Sequence, residues 1–423
     1  MVRILSFCFF LFLNFSAFAQ YVPAPGAAQS QPILLTGATA HLGNGEVIEN
    51  AYLAFADGKI TLVNSAAVGQ GFDNHKKIDG TGKHIYPGLI APDSRLGLNE
   101  IGAVRATNDY REVGNLNPNI RALIAYNTDS EVIPTVRSNG ILLAQIAPQG
   151  GRISGQSSVV QLDAWNYEDA VVRTDDGIHL NFPSYIRLSR WSAAKKNDKY
   201  AEQIQEVESF LQDAQAYSQR STDTDTNLKL AAAQGLFDGS KKLYLHTHDV
   251  KGMQAGVLLA KKYDITPVIV GGRDSWQITE FLRDNEVAVI LNSTQSLPRY
   301  EDSDIDQPFK TPALLEAGGV TWCFSHGDYW DQKNLPFTAG QAVAFGLEYE
   351  KAVAGMTGNA ADILGIGKQY GTLEVGKSAT LIVSEGDVLD MRTSKIIHAF
   401  IDGREVNLSN KHKVLAEKFG EKQ

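Results

Sequence analysis

The chain has 423 residues, 43% of them hydrophobic, and a formal net charge of -9. That length and apolar content suit one barrel with an appendage better than several small domains, and the acidic balance argues against nucleic acid and anionic membrane as partners. Cys8 and Cys323 are its two cysteines, and Cys8 falls in a segment expected to be removed, so stability must come from core burial rather than a disulfide.

The start reads Met1-Val2-Arg3 followed by an apolar run from Ile4 to Leu13, too short to span a bilayer, and Ala17-Phe18-Ala19 resembles a small-x-small cleavage site. Residues 1–19 are therefore expected to be a signal peptide and the mature protein periplasmic or secreted. Cys8 lies inside the apolar run rather than at its end, which argues against a lipid anchor. A Pro/Gly/Ala/Gln-rich linker occupies residues 20–32. Alternating residues from Ile33 to Val63, with Gly43-Asn44-Gly45 and Asp57-Gly58 as turn signals, predict a small sheet. A second β-like stretch at the far end, Thr380 to Val383 and Ile396 to Ile401 with Asp402-Gly403 as a turn, predicts that both chain ends meet in one domain. The expected small β-sandwich covers residues 33–87 and 370–407.

Residues 88–369 change to short apolar runs separated by helical stretches, the pattern of repeated βα units. Strands are predicted at His84 to Ile90, Ile141 to Ile146, Ser158 to Leu162, Leu243 to His246, Thr266 to Val270, Val287 to Leu291 and Thr321 to Phe324. Helices are predicted at Ala201 to Ser218, Gly252 to Lys262, Trp276 to Asn285 and Ala339 to Leu347. The count predicts an α/β fold, a (β/α)8 TIM-like barrel, with a long charged loop from Asn99 to Arg137 over its mouth. Residues 408–423 read as a charged C-terminal tail. No Gly-x-Ser-x-Gly elbow supports a hydrolytic serine.

Three passages resemble the amidohydrolase superfamily, in particular its imidazolonepropionase-like branch. They are Pro87 to Ile90, similar to the entry of the first barrel strand; Thr357 to Gly365, similar to the last helix; and Gly371 to Val383, similar to the turn and strand that return the chain to the small sheet. Gly150 to Gln156 also resembles a glycine loop of that branch. The resemblance implies hydrolysis of carbon–nitrogen bonds other than peptide bonds, with one or two divalent metals at the C-terminal mouth of the barrel.

The implied ligand set is incomplete here. Where the family carries Asp-x-His-x-His at the end of its first strand, this chain has Ala91, Asp93 and Arg95, and a guanidinium has no lone pair to give a metal. The fourth-strand match, Gly177 to Pro183, has neither Lys nor Glu, and Gly271-Gly272 stands where the sixth strand should offer a His. A binuclear centre is therefore not expected. The resemblance leaves His246 and His248 of the fifth strand, Asp93, and Asp328 of the eighth as candidate ligands, with Asp328 also the candidate general base. Two readings stay open: a hydrolase with one divalent metal, zinc if any, acting on a small molecule; or a metal-free pseudoenzyme that binds a ligand or a catalytic sister amidohydrolase. A metal content well under one per chain is expected of protein purified without chelator, and a homo-oligomer stays open as a partner.

Overall fold

The structure is a computed structural model, and it describes residues 24–65, 71–189, 192–220, 226–292, 294–297, 303–420 and 422. The expected signal peptide lies outside them, as does most of the linker's first third. Five strands open the chain: β1 (Ile33–His41), β2 (Val47–Ala56), β3 (Lys59–Asn64), β4 (Lys76–Asp79) and β5 (His84–Pro87). The Asp57-Gly58 turn is a two-residue hairpin, since Ala56 pairs with Lys59 and both loop residues have positive φ, 49° and 75°.

Eight strands follow in a second sheet and one hairpin: β6 (Leu89–Ser94), β7 (Ile141–Ile146), β8 (Ile153–Gln161), β9 (Val171–Asn181), the pair β10 (Ile186–Ser189) and β11 (Ser192–Lys196), then β12 (Lys242–Thr247), β13 (Val268–Gly271), β14 (Val289–Leu291) and β15 (Trp322–Phe324). The chain then returns to the first sheet through β16 (Leu381–Ser384), β17 (Ile396–Ile401) and β18 (Arg404–Glu405). That sheet has the order β18-β17-β16-β5-β1-β2-β3, with β4 beside β1. It curls until its two halves face each other: Phe55 of β2 meets Phe400 of β17 edge to face at 5.0 Å, around a core that includes Leu35, Leu53 and Leu381. Both chain ends therefore build one small sheet domain.

The barrel sheet runs β15-β14-β13-β12-β9-β8-β7-β6 and is nearly closed. Between β6 and β15, Ser325 Oγ donates to the Pro92 carbonyl at 2.6 Å. Alternate residues divide the core. Ile90, Leu143, Val159, Tyr244, Val270, Ile290 and Cys323 fill the barrel interior, whereas Leu142, Leu245, Ile269, Val289 and Trp322 belong to the larger core shared with the helices. One strand departs from the expected all-parallel pattern. β8 pairs antiparallel with both β7 and β9. The connection from Ile146 to Ile153 is too short for a crossover, which needs about a dozen residues, so it can only make a hairpin.

Other boundaries differ for local reasons. The predicted strand from His84 to Ile90 divides at Gly88, whose neighbours go to different sheets; an added Cβ there would lie 2.9 Å from both Leu142 and Thr380 side chains. The expected glycine loop keeps Gly150 and Gly151 as a turn, both with positive φ, but Ile153 to Gln156 already belong to β8. The long 99–137 segment holds two short 3-10 turns, Arg105–Thr107 and Ala122–Ala125, and the helix Ile133–Arg137. The tail forms the helix Lys411–Gly420, none of whose residues is buried.

Candidate metal centre

The strands parallel to β12 deliver their ends to one mouth. On β12, Tyr244 and His246 are two residues apart and share the inward face, and β9 lies beside it in parallel register, Tyr244 opposite His179. The His179 ring stacks on Tyr244 at 4.7 Å and 23°. Its Nδ1 lies 2.8 Å from His246 Nε2, a contact in which one ring must supply the proton and the other the lone pair. Asp93 comes from the end of β6 in a left-handed conformation, φ 49°, which turns its carboxylate inward to place Oδ1 4.0 Å from His179 Nδ1.

Asp93, His179 and His246 thus form a group whose ligating atoms lie within 4.8 Å of one another. Burial dominates its electrostatics. It pushes Asp93 up to about 7, against a weak 3.4 Å bond from Asn292 and the nearby Arg95 charge. It lowers His246 to about 4 and His179 well below the ordinary histidine range, so both imidazoles are neutral near pH 7, the form that ligates metal. Asp93 Oδ1 and His179 Nε2 are buried without a hydrogen-bond partner. Two neutral imidazoles and a carboxylate, with one nitrogen and one oxygen left unsatisfied in the interior, fit a borderline divalent cation such as zinc.

A polar ladder holds this group from below. The Asp93 amide donates to Gln145 Oε1 at 3.0 Å, Gln145 Nε2 donates to Asp176 Oδ2 at 2.8 Å, and Ser157 and Tyr244 hydroxyls donate to the same carboxylate at 2.7 and 2.6 Å. Asp176 is wholly buried, and desolvation raises it despite these three donors. The ladder fixes Tyr244, and through it the plane of His179.

Of the four ligands expected from the sequence, Asp93 and His246 come together; Asp328 and His248 lie outside the group. Asp328 is held instead by Arg95, whose Nη2 donates to Oδ2 at 2.9 Å, while the Tyr329 and Trp330 amides donate to Oδ1. With both oxygens engaged by donors, it is poorly placed to take a proton. His248 lies against Gly271: a Cβ at that glycine would sit 2.4 Å from His248 Cε1. The imidazole thus fills the space that a sixth-strand side chain would need. His326 turns away to Thr338 Oγ1 at 2.8 Å. His179 was not counted among the ligands because the family pattern asks for Lys or Glu there; its signal was an imidazole two residues from Gly177 within the fourth-strand match.

The chain thus combines a nearly closed α/β barrel, a His/His/Asp group at its mouth and a sheet made from both chain ends, and it shares this fold with solved amidohydrolases. Residues 332–406 match the Amidohydrolase family model. That match covers the scaffold after β15 and none of the candidate ligands. Among solved structures, an amidohydrolase from Thermotoga maritima MSB8 is similar at a TM-score of 0.77 and 21% identity, over 89% of this chain and 99% of that one. A prolidase complexed with N-methylphosphonate-L-proline follows at 0.55 and 14%, over 89% and 99%. An adenosine deaminase from Xanthomonas campestris with bound zinc is similar at 0.53 and 13%, over 94% and 98%. No curated protein matches the chain in sequence. Among the described residues, no helix is long and apolar enough to cross a membrane.

Proposed function

We propose that the protein is an exported hydrolase of carbon–nitrogen bonds other than peptide bonds in a small molecule, working with a single divalent metal. The Asp93–His179–His246 group, with Asp93 and His179 buried, carries this reading. Those residues would hold the ion, zinc by the chemistry of the donors, and when bound it would supply Lewis acidity and an acidified water. The chain's own contribution is orientation: the Asp176 ladder holds the His179 plane and the Asp93 backbone. Export rests on the first 19 residues, with a periplasmic or extracellular destination.

Two observations favour a second reading, a metal-free pseudoenzyme that binds a ligand or a catalytic sister amidohydrolase. The Arg95–Asp328 pair engages the residue that the family resemblance assigns as base, and His248 fills the space above Gly271. Elemental analysis by mass spectrometry of protein purified without chelator decides between them. The hydrolase reading expects one equivalent of a divalent metal, lost in His246→Ala, together with turnover of small amides. Less than a tenth of an equivalent after incubation with zinc, as an order-of-magnitude threshold, would leave the pseudoenzyme.

A further inference from the structure

In the metal group Asp93 and His179 are buried and His246 is partly exposed, and the Arg95–Asp328 pair beside it also reaches solvent. The Arg95 side chain is 16% exposed and that of Asp328 36%. Asp93 and Arg95 are separated only by Ser94, whose hydroxyl donates to the Asp328 carbonyl at 3.3 Å. Gly327 also passes over Asp93, since a Cβ there would lie 3.5 Å from Asp93 Oδ2. Arg95 is thus a cation beside the group, close enough for its charge to act on Asp93.

Arg95 is held as a recognition group would be. Its guanidinium carbon lies 4.8 Å from the Tyr110 ring centre and 5.9 Å from that of Tyr329, which fixes the plane of the fork. Asp328 takes only Nη2 in a single bond, while the buried Nε has no hydrogen-bond partner. A guanidinium presents its donors in a planar fork that matches both oxygens of a carboxylate. Gln149 braces the wall: its amide donates to the Tyr110 carbonyl at 2.7 Å and its side chain to the Gly327 carbonyl at 3.3 Å.

We propose that Arg95 anchors a carboxylate of the ligand, so that the protein takes N-acylated amino acids rather than neutral amides. The inference names the substrate class of the reading above and rests on it for the acyl–nitrogen bond. The carboxylate takes the exposed guanidinium donors that Asp328 leaves free, and the amide then lies toward Asp93, on the adjoining part of the mouth.

Isothermal titration tests this with the purified full chain, using N-acetyl derivatives of glycine, alanine, leucine and phenylalanine and the primary amide of each as probes. At least one acid should bind about tenfold more tightly than its amide. Arg95→Met should abolish the preference and Arg95→Lys retain part of it, because lysine keeps the charge without the fork. Equal binding of acid and amide, no binding of any acid, or a preference surviving in Arg95→Met would overturn the proposal. The two readings fail separately. Acid-selective binding without metal or turnover removes the hydrolase and leaves the anchor; metal-dependent turnover indifferent to the carboxylate does the reverse.

Discussion

Replacing His179 by Ala removes one of two neutral nitrogens from the buried group and leaves Asp93 and His246 as its only donors. Zinc affinity should fall at least about tenfold, read by competition with a chromogenic chelator, and an unchanged affinity would remove His179 from the site. Asp163 invites a test of stability instead. Its carboxylate, 1% exposed, receives Arg137 at 2.6 Å, the Gly26 amide at 2.7 Å and Arg404 at 3.2 Å. Asp163→Asn strands a buried guanidinium and should cost about 3–5 kcal/mol in urea unfolding. The same scale shows what the sequence could convey. Asp93 and His246 were legible because their strand ends could be aligned with the family pattern. His179 was not, since it reaches the group from an unexpected residue type, whereas a pairing of Asp328 with a nearby arginine was open to the sequence and the fold makes it with Arg95.

Elements decide how firmly those side chains are placed. Gly177, on β9, faces the Tyr244 ring: a Cβ there would lie 2.4 Å from Tyr244 Cε2 and 2.6 Å from the Lys242 carbonyl. Gly177→Ala must push the ring or part β9 from β12, and a loss of about 1–3 kcal/mol is expected by chemical denaturation. Because the displaced ring also supports His179, metal affinity should fall with it; stability lost with affinity intact would uncouple the two. Most barrel strands were legible as short apolar runs, and β7 matches its predicted bounds at Ile141 and Ile146. The direction of β8 was harder to see, because an apolar run carries no sign of which way it points. Only the brevity of the preceding connection held that information.

At the scale of the whole molecule, barrel and small sheet meet at a compact polar cluster. His41 Nδ1 contacts Glu350 Oε1 at 2.7 Å, its Nε2 meets His84 Nδ1 at 3.0 Å, and Tyr349 joins Tyr86 at 2.9 Å to Asp387 at 2.6 Å. Burial, then the His41 charge, lowers His84 below its ordinary 6.5, with Asp387 and Glu350 opposing. The folded state therefore binds fewer protons here than the unfolded chain does. This contribution is present above pH 6.5 and is lost as pH falls through the lowered value. Denaturation midpoints of wild type should drop over that interval more steeply than those of His84→Gln, and parallel profiles would exclude this histidine as the source.

The meeting of the chain ends was legible from strand patterns alone, but its timing follows from the pairing. β5 has β1 on one side, and its other neighbour, β16, is synthesised roughly 300 residues later. Until then an unpaired row of amides and carbonyls from His84 to Pro87 stands open beside the apolar face of β1. The nascent chain is thus a template for strand addition throughout most of its synthesis, and completion of its C-terminal end is what closes that edge.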